Sequence, residues 1–383
     1  MSISSQLLCI PVVIGSIGSV VELATAWWWL RTREPSSAPA SANASPPVTV
    51  LKPLFGIDKH MRDNLRAICT QDYPRYQVVL SAQRRDDPAI PIMRAIAAEF
   101  GPERVTLSIA DAAPTRNGKA ENLAHAYAHA RHDVIVISDS DVAVPTDYLR
   151  RIVTPLADPR VGYVCTLVRA AGADNVWERL ELVSFNVDFV PILVLGMLSR
   201  IATFCIGATT AVRRRTLDSI GGFASLAEYM VEDAEMGRRI QAAGYEGRFL
   251  PTFVTTFVEL PSAAAWWNYQ VYWDQNARYV SFVGFIALLL LKAVPFALLF
   301  AATRGFDRTG VAVLLGALGV RLSTAAGFLL GCVRDRETLR SLWLLPLRDV
   351  ASLGAWFAAA LRKQFTRRGV RFAVSRTGLV HRA

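Results

Sequence analysis

Long apolar runs at both ends of the chain constrain its fold most. Residues 7–30 contain one charged side chain, Glu22, and end in three consecutive tryptophans followed by Arg31 and Arg33. The length suits one membrane crossing of about 20 residues, and tryptophans followed by arginines indicate an interface with the next segment on the cytosolic side. A cleaved signal peptide fits less well, because no basic residue precedes the run.

Three more apolar segments occur in the last third of the chain, at 282–302, 311–333 and 341–361. The first two are predicted spans. The third contains Arg348 and Asp349, which are costly at mid-bilayer, and a basic stretch at 362–372 follows it. Four crossings would place that stretch outside, whereas basic residues favour the inside. We therefore predict that the third segment is re-entrant or interfacial.

The composition agrees with a membrane protein. The chain has 383 residues, of which 52% are hydrophobic and 19% charged, with a net charge of +10. These values are too apolar for an ordinary soluble enzyme, and the basic charge suits an anionic membrane surface or substrate. No nucleic-acid partner is predicted. Five scattered cysteines without metal-ligand spacing suggest reduced thiols on the cytosolic side.

These patterns divide the chain into four regions. They are a transmembrane anchor at 1–30, a linker at 31–47, a middle domain at 48–280, and membrane or interfacial helices with a basic tail at 281–383.

Strand and helix patterns alternate in the first part of the middle domain. Strands are predicted at 48–56, 76–83, 105–111 and 133–141, with helices at 61–71, 88–100 and 119–130 between them. This alternation predicts an α/β domain with a parallel, doubly wound sheet. Ligands bind at the carboxyl ends of the strands in such sheets.

The predicted fourth strand runs into two carboxylates, in the sequence DVIVISDSDVAV. Asp139 and Asp141 are two residues apart, so they can point to the same side and share one ion. Hard oxygen ligands suit Mg²⁺ or Mn²⁺, which also bind phosphate oxygens. A solvated turn is the competing interpretation, since Asp and Ser are common in turns.

Other polar residues follow neighbouring strands. Asn117, Lys119 and Asn122 surround a predicted helix start, where anions bind favourably. Asp86 and Asp87 follow the second strand at the same edge of the sheet, where an acid can hold a nucleobase or ribose hydroxyls. For both groups, a solvated loop explains the pattern equally well without further support.

A second acidic position opens a helix downstream. Glu232 and Asp233 begin a predicted helix that ends at Gly244. The helix dipole alone favours acids in a first turn. The functional interpretation is a general base that deprotonates an acceptor hydroxyl. Small residues in the preceding segment IGATTAVRR permit close approach of the backbone to a ligand.

Taken in order, these motifs resemble the ceramide glucosyltransferase family, glycosyltransferase family 21. The resemblance covers about 48–273 and rests on LKPLFG, DDPAI, NGKAENL, SDSDV, IGATTAVRR and VEDAEMGRRI. It implies a membrane-anchored GT-A fold. It also implies inverting transfer of a sugar, glucose in most members, from a UDP-sugar to a lipid hydroxyl in the cytosolic leaflet.

The resemblance assigns roles residue by residue. Asp87, or Asp86, matches the first acidic motif, on the nucleotide. Asp139 and Asp141 match the first and last positions of the DxD-like metal motif, and Asp233 matches the expected base. Donor contacts are further predicted for Lys52, Asn117, Lys119, Asn122 and Asp139.

The family's (Q/R)xxRW motif is altered here. In NYQVYWDQNAR, Trp273 fits, but Tyr269 and Tyr272 stand where polar or basic residues are expected. Arg278 lies five residues after Trp273, and we predict that it contacts the donor diphosphate. The aromatic residues of this window also suit an interfacial belt.

Several alternatives remain open for the identity of the acceptor and for the overall reaction. The interrupted apolar segment 185–204 is either an interfacial segment that admits lipid or a core helix. Ceramide, diacylglycerol and a hopanoid all remain as acceptors for a multi-pass protein of a bacterial inner membrane. Competing functions are a processive polysaccharide synthase, or a non-catalytic membrane protein that binds a metal or nucleotide.

Overall fold

A computed structural model describes residues 3–32, 45–111, 116–199, 204–362, 364–367, 370–375 and 378–382. Most of the predicted linker and part of the basic tail lie outside these residues. The strands are β1 Val48–Leu54, β2 Tyr76–Ala82, β3 Val105–Ile109, β4 Val134–Ser138, β5 Val142–Ala143, β6 Val161–Ala171, β7 Thr209–Arg213, β8 Glu246–Phe257, β9 Gln364–Arg367, β10 Val370–Val374 and β11 Val380–Arg382.

The helices are of two kinds, amphipathic helices and long apolar ones. They are α1 Ile3–Thr32, α2 Met61–Cys69, α3 Ile90–Phe100, α4 Gly118–Tyr127, α5 Tyr148–Val153, α6 Val176–Val183, α7 Val190–Leu198, α8 Arg214–Ser219, α9 Gly222–Leu226, α10 Glu232–Ala242, α11 Ala263–Val280, α12 Phe282–Leu290, α13 Ala293–Thr303, α14 Arg308–Phe328, α15 Arg336–Arg340 and α16 Leu345–Leu361. A π-helical turn, Ser184–Phe189, joins α6 to α7.

The chain forms two compact units. The sheet unit contains Arg33–Val168, Thr203–Phe257 and Lys363–Ala383, and the helical unit contains Met1–Thr32, Arg169–Ala202 and Val258–Arg362. The division differs from the predicted middle domain at 48–280, since two of its segments pack with the apolar helices. Those segments are helical, so they bury their apolar faces against other helices.

An eight-stranded sheet of order β3-β2-β1-β4-β7-β6-β8-β5 forms the core of the sheet unit. The predicted parallel arrangement is correct for β3, β2, β1 and β4. It is wrong beyond β4, because the pairings β4–β7, β7–β6 and β8–β5 are antiparallel. β1 and β2 are buried at every position, as expected for strands covered on both faces.

Among the residues that the structure describes, four helical segments are long and apolar enough to cross a membrane. They are Leu7–Thr32, Val176–Leu198, Arg308–Val333 and Leu342–Leu361. The predicted span at 282–302 is broken instead, with Phe282–Leu290 and Ala293–Thr303 bent by 48°. The segment at 185–204, predicted as interfacial or core, belongs to the continuous helix Val176–Leu198 up to Leu198; residues 200–203 lie outside the described part.

Charged side chains in the helical unit are paired with one another. The Arg321 guanidinium donates to Asp188 and, at 2.9 Å, to Asp349. Arg348 also donates to Asp188. All four side chains are at most 16% exposed. Because buried charges are costly unless paired, this cluster explains how the apolar segment 341–361 accommodates Arg348 and Asp349.

Candidate active site

The loop after β4 carries the two predicted metal ligands. β4 lies at the centre of the sheet and is buried throughout, so its carboxyl end presents Asp139 and Asp141 at the sheet edge. The Asp141 carboxylate accepts a hydrogen bond from Thr256 at 2.8 Å, beside the β5–β8 pairing. Burial raises the pKa of both carboxyls, and the Asp141 carboxylate raises that of Asp139 further, whereas Lys119 acts in the opposite direction on both. The sequence contains no signal that would have identified Thr256.

Lys52 holds the acidic loop after β4 by hydrogen bonds. Its side chain is fully buried in β1, and its ammonium donates to Ser138 Oγ and to the backbone carbonyls of Asp139 and Val142. Burial lowers its pKa to about 8, although Asp141 and Asp139 act in the opposite direction. The structure thus gives Lys52 a positioning role under the acidic loop, and its direct contact with a donor stays a prediction.

Lys119 forms an ion pair with Asp139 of the acidic loop. Its ammonium lies 2.6 and 2.8 Å from the two carboxylate oxygens of Asp139, and 3.9 Å from Glu232. Burial disfavours the charged form, but Asp139, Glu232 and Asp233 together raise the pKa of Lys119. Lys119 therefore carries a positive charge among three carboxylates at the sheet edge.

Asp233, the predicted base, begins α10 close to the same lysine. Its carboxylate accepts hydrogen bonds from the backbone of Gly207 at 2.7 Å and of Ala234 at 2.8 Å. Burial and the neighbouring Glu232 raise its pKa to about 6, while Lys119 and the two backbone donors lower it. A carboxyl with that pKa is mostly ionised at pH 7, as a general base must be.

Gly207 allows these groups to come together. A β-carbon at this position would lie 2.8 Å from Lys119 Nζ and 2.9 Å from Asp233 Oδ2. The small residues of IGATTAVRR were expected to admit a ligand; the close approach that the structure shows is to the site's own side chains. Lys119 Nζ and Asp233 Oδ2 each lie within 3 Å of the position that this β-carbon would occupy, so the two atoms are at most about 6 Å apart.

Asn117 links the helix carrying Lys119 to the helix carrying Asp233. It caps α4 by accepting hydrogen bonds from the backbone of Lys119 and Ala120. Its amide donates to Glu232 at 2.6 Å and to the Tyr229 carbonyl at 2.9 Å. Donor binding by Asn117 stays a prediction, since these contacts already position the site.

The two acids after β2 differ in their surroundings. Asp87 is buried and accepts hydrogen bonds from the backbone of Gly56 and Ala89. Asp86 is exposed and pairs with Arg84. Asp87 thus holds the loop after β1 against the loop after β2, and it is the better placed of the two predicted nucleotide-binding acids.

Several buried polar atoms at the carboxyl end of β2 lack partners among the described residues. Asn122 donates to the carbonyls of Leu54 and Ser81, but its own Oδ1 has no hydrogen-bond partner among the described residues. The same holds for Ser81 Oγ and Gln83 Oε1. Buried polar atoms are normally hydrogen-bonded, so three such atoms at the carboxyl end of β2 indicate a place for a polar ligand.

Trp273 and Arg278 belong to the helical unit, both on α11. The indole of Trp273 lies 5.7 Å from the Phe189 ring and 6.0 Å from the Tyr269 ring, between centroids. Arg278 donates to the carbonyls of Ala359 and Ala360 at 2.7 and 2.8 Å. The structure therefore shows packing roles for these two residues, and their donor contacts stay predictions.

A cleft elsewhere in the sheet unit has different chemistry. It measures about 780 Å³ and is lined by Val134, Arg213 and Arg214, among others. Val134 begins β4, so this cleft lies at the edge opposite Asp139. Arg213 and Arg214 already donate to backbone carbonyls. The paired carboxylates, Lys119 and the raised pKa of Asp233 instead mark the carboxyl edge as the candidate active site.

Known proteins share both the sequence pattern and the fold. The model of glycosyl transferase family 21 matches residues 7–380. The chain belongs to this family. A ceramide glucosyltransferase of Komagataella phaffii is 31% identical over 113 residues, covering 28% of this chain and 22% of the relative. Ceramide glucosyltransferase 1 of Caenorhabditis elegans is 22% identical over 200 residues, covering 52% of this chain and 43% of the relative. The chain thus spans less than half of that relative.

A solved structure supports the fold alone. The mannosyltransferase PcManGT of Pyrobaculum calidifontis, solved with GDP-Man and Mn²⁺, is 22% identical and superposes with a TM-score of 0.55. The superposition covers 92% of this chain and 98% of PcManGT. The predicted GT-A fold with additional apolar helices is therefore confirmed.

Proposed function

We propose that this family 21 protein transfers a sugar from a UDP-sugar to the hydroxyl of a membrane lipid, with inversion at the anomeric carbon. Glucose is the proposed sugar and ceramide the proposed acceptor, with diacylglycerol or a hopanoid as alternatives. The names of the relatives support the sugar and the lipid.

The observation that carries the proposal is the meeting of three groups at one sheet edge. Lys119 pairs with Asp139, and Gly207 brings Lys119 and the Asp233 carboxylate to within about 6 Å. A diphosphate leaving group needs positive charge beside it, and an attacking hydroxyl needs a base. Both requirements are met within a few ångströms, which suits glycosyl transfer better than binding alone.

Asp233 supplies the base in this reaction. Its carboxylate takes the proton from the lipid hydroxyl as the oxygen attacks the anomeric carbon. The bond from that carbon to the diphosphate oxygen breaks in the same displacement, so the configuration inverts. Lys119 stands where the charge of the departing diphosphate develops. No second carboxylic acid is needed, because the diphosphate leaves without protonation, unlike the alcohol leaving group in a glycosidase.

The donor nucleoside is proposed to bind beside Asp87. Ser81 Oγ, Gln83 Oε1 and Asn122 Oδ1 have no partner among the described residues; the two amide oxygens accept hydrogen bonds from a nucleobase or ribose there, and the hydroxyl accepts or donates one. Lys52 acts beneath this region by fixing the backbone of the acidic loop.

Asp139 and Asp141 are the proposed ligands of Mg²⁺ or Mn²⁺. Among the described residues, no three His, Cys, Asp or Glu side chains are placed to hold one metal ion, but such ions commonly take one or two carboxylates and complete their shell with substrate phosphates. The donor set is hard oxygen and fits these ions. When bound, the metal would neutralise charge on the donor diphosphate.

The lipid acceptor requires a membrane location. The apolar helices supply it, and we propose a multi-pass protein with its sheet unit on the cytosolic face. The arginines that follow the N-terminal apolar run favour this orientation. Trp273 and Arg278 lie on α11, the helix directly before the broken span, and are proposed to serve the donor from there.

The proposal is tested by producing the chain in a host that lacks glycolipids and identifying new lipids by mass spectrometry. A hexosylated lipid is expected with the unaltered chain. Asp233→Asn should abolish it while UDP-sugar binding, measured by calorimetry on the purified protein, is retained.

Other outcomes would redirect or overturn the assignment. A long polysaccharide product would indicate a processive synthase. Nucleotide binding without release of UDP in the presence of lipid and Mg²⁺ or Mn²⁺ would indicate a non-catalytic binding protein. Near-normal turnover by Asp233→Asn would refute Asp233 as the base.

A further inference from the structure

The last strands of the chain pair with a short segment that comes just before α10. Strands β9, β10 and β11 form a small antiparallel sheet of order β11-β10-β9. One edge of β11 pairs with β10, and the other edge continues an isolated antiparallel bridge between Leu379 and Tyr229. We call Glu228–Met230 the bridge segment and Gly378–Val380 the tail segment. Both belong to the sheet unit.

Two backbone hydrogen bonds join the tail segment to the bridge segment. The N–H of Val380 donates to the Glu228 carbonyl at 2.8 Å, and the N–H of Met230 donates to the Gly378 carbonyl at 3.0 Å. Gly378 has a φ of +82°, a left-handed conformation that glycine adopts without steric cost. The Val380 side chain is only 2% exposed, so the tail segment is packed into the sheet unit.

A tight turn fixes the tail segment on its other side. The N–H of Ser375 donates to the Leu379 carbonyl at 2.9 Å, and the N–H of Leu379 donates back to Ser375 Oγ at 3.0 Å. The N–H of Gly378 donates to the Ser375 carbonyl at 3.1 Å. Leu379 is thus bonded toward its own hairpin, which leaves the Val380 N–H and the Gly378 carbonyl for the bridge segment.

Asn117 holds the opposite edge of the bridge segment. Its side-chain amide donates to the Tyr229 carbonyl at 2.9 Å, and its backbone N–H donates to the Ala227 carbonyl at 3.2 Å. The carbonyl between these two, that of Glu228, accepts from Val380 of the tail segment. The bridge segment is therefore clamped between Asn117 on one edge and the tail segment on the other.

α10 begins two residues after the bridge segment, and its start has no capping side chain. The N-cap residue is Val231, which offers no hydrogen-bond acceptor to the backbone amides of the first turn, where Ser, Thr, Asp or Asn is usual. The position of this helix start therefore depends on neighbouring segments. Gly207 and Cys205 donate to Asp233 itself, and the bridge segment holds the chain that enters the helix.

The candidate active site depends on this helix start at two points. Asp233 lies in its first turn, and Glu232 accepts from Asn117. A displaced bridge segment moves an acceptor of Asn117 and the start of α10 together. Proton transfer needs the Asp233 carboxylate within hydrogen-bond reach of the attacking hydroxyl, and a misplacement of about 1 Å can cost about 10²-fold in rate.

We propose that the tail segment is a positioning element for the candidate active site. Its two backbone hydrogen bonds hold the bridge segment, and the bridge segment holds the start of α10 that carries Asp233. The tail segment acts through these backbone contacts and is assigned no contact with donor or acceptor. The inference rests on the proposed role of Asp233 as the base.

Val380→Pro in the full chain tests the proposal, because proline has no N–H to donate to Glu228. The missing N–H faces the bridge segment and not β10, so the hairpin keeps its own hydrogen bonds. We expect kcat for sugar transfer to fall about 10²-fold. The affinity for UDP, measured by calorimetry, should stay nearly unchanged, because the loops around Asp87 are held by other contacts.

Val380→Ala is the matched control. It removes more of the buried side chain than proline does, but it keeps the N–H that donates to Glu228. It should therefore retain most of the kcat that Val380→Pro loses. An equal loss in both variants would assign the effect to side-chain packing and would overturn the proposal. So would a normal kcat in Val380→Pro.

Hydrogen exchange provides a measurement that does not depend on catalysis. Val380→Pro should speed the exchange of backbone amides in residues 228–238, measured by mass spectrometry on the full chain in detergent. Amides of β1, which is buried at every position, should exchange as in the unaltered chain. Unchanged exchange in residues 228–238 would show that the tail segment does not hold the bridge segment.

A disulfide across the bridge supplies the rescue. Tyr229 and Leu379 face each other at a non-hydrogen-bonded position, because their neighbours make the two hydrogen bonds. Cα atoms at such positions are about 4.5 Å apart, within the range that a disulfide spans. Tyr229→Cys and Leu379→Cys are therefore combined in a chain whose partly exposed Cys9 and Cys332 are replaced by alanine.

When Val380→Pro is added to this chain, kcat should be low in the reduced form and largely restored in the oxidised form. Without Val380→Pro, both forms should turn over alike. A disulfide that forms without restoring kcat, or that fails to form, would refute the proposal. Failure of the proposed function would instead be seen as absence of lipid glycosylation by the unaltered chain, so the two failures are distinguishable.

Discussion

Replacing Lys119 with methionine should raise the pH below which the transferase activity of the protein falls. As a base, Asp233 acts only when ionised. Its pKa of about 6 therefore predicts that kcat/KM is level above about pH 7 and falls tenfold per pH unit well below pH 6. Lys119 is one of the groups that hold this pKa down, and removing its charge leaves burial and Glu232 to raise it further.

The size of the shift follows from the geometry. Lys119 Nζ and Asp233 Oδ2 are at most about 6 Å apart. At that distance, unit charges interact by about 3 kcal/mol with an effective dielectric constant of 20, which equals about 2 pKa units. The acid limb of Lys119→Met should thus move from about pH 6 toward about pH 8, in addition to any loss of donor affinity.

The assay is sugar transfer to lipid in detergent micelles, measured as kcat/KM for the donor from pH 5 to 9. Lys119→Arg is the matched control, because it keeps the charge and should keep the limb near pH 6. Coinciding limbs for Lys119→Met and the unaltered protein would refute the electrostatic coupling. A flat profile for the unaltered protein between pH 5 and 7 would refute Asp233 as the titrating base.

Three further changes test positioning and packing. Gly207→Ala should lower kcat by about 10²-fold, because the added carbon displaces charged groups by the order of 1 Å; Gly196→Ala, where the carbon meets nothing within 4 Å, should leave turnover unchanged. Lys52→Met should lower the Tm of the purified protein, since each carbonyl left buried without a donor costs about 1–3 kcal/mol; an unchanged Tm would contradict its positioning role. Asp188→Asn should cost about 3–5 kcal/mol of unfolding free energy by unpairing buried arginines, whereas Asp307→Asn, in a solvent-screened surface pair, should leave the unfolding free energy nearly unchanged.

The parallel half of the sheet could be predicted from sequence, and the antiparallel half could not. Buried runs such as β1 and β2 are separated by helical patterns, and that alternation determines parallel pairing. β6 and β8 are long strands whose partners lie far away along the chain. Their hydrophobic pattern indicates strand, but it contains nothing about the direction of the partner strand.

The candidate site shows a similar limit. Spacing placed Asp139 and Asp141 at the sheet edge, and a helix start identified Asp233. The contacts that determine their behaviour involve residues far apart in sequence, such as Gly207 with Asp233 or Lys52 under Asp139. A lysine within an apolar strand was the available signal for the second contact, since a buried lysine needs partners.

Hydropathy also cannot distinguish a helix that crosses a bilayer from one that lies within a leaflet. Both need a long apolar face, and Leu342–Leu361 passes the same test of length and composition as Leu7–Thr32. The distinction comes from what the polar face meets. Arg348 and Asp349 would be costly at mid-bilayer if unpaired, but the structure pairs them, so their charge alone decides nothing.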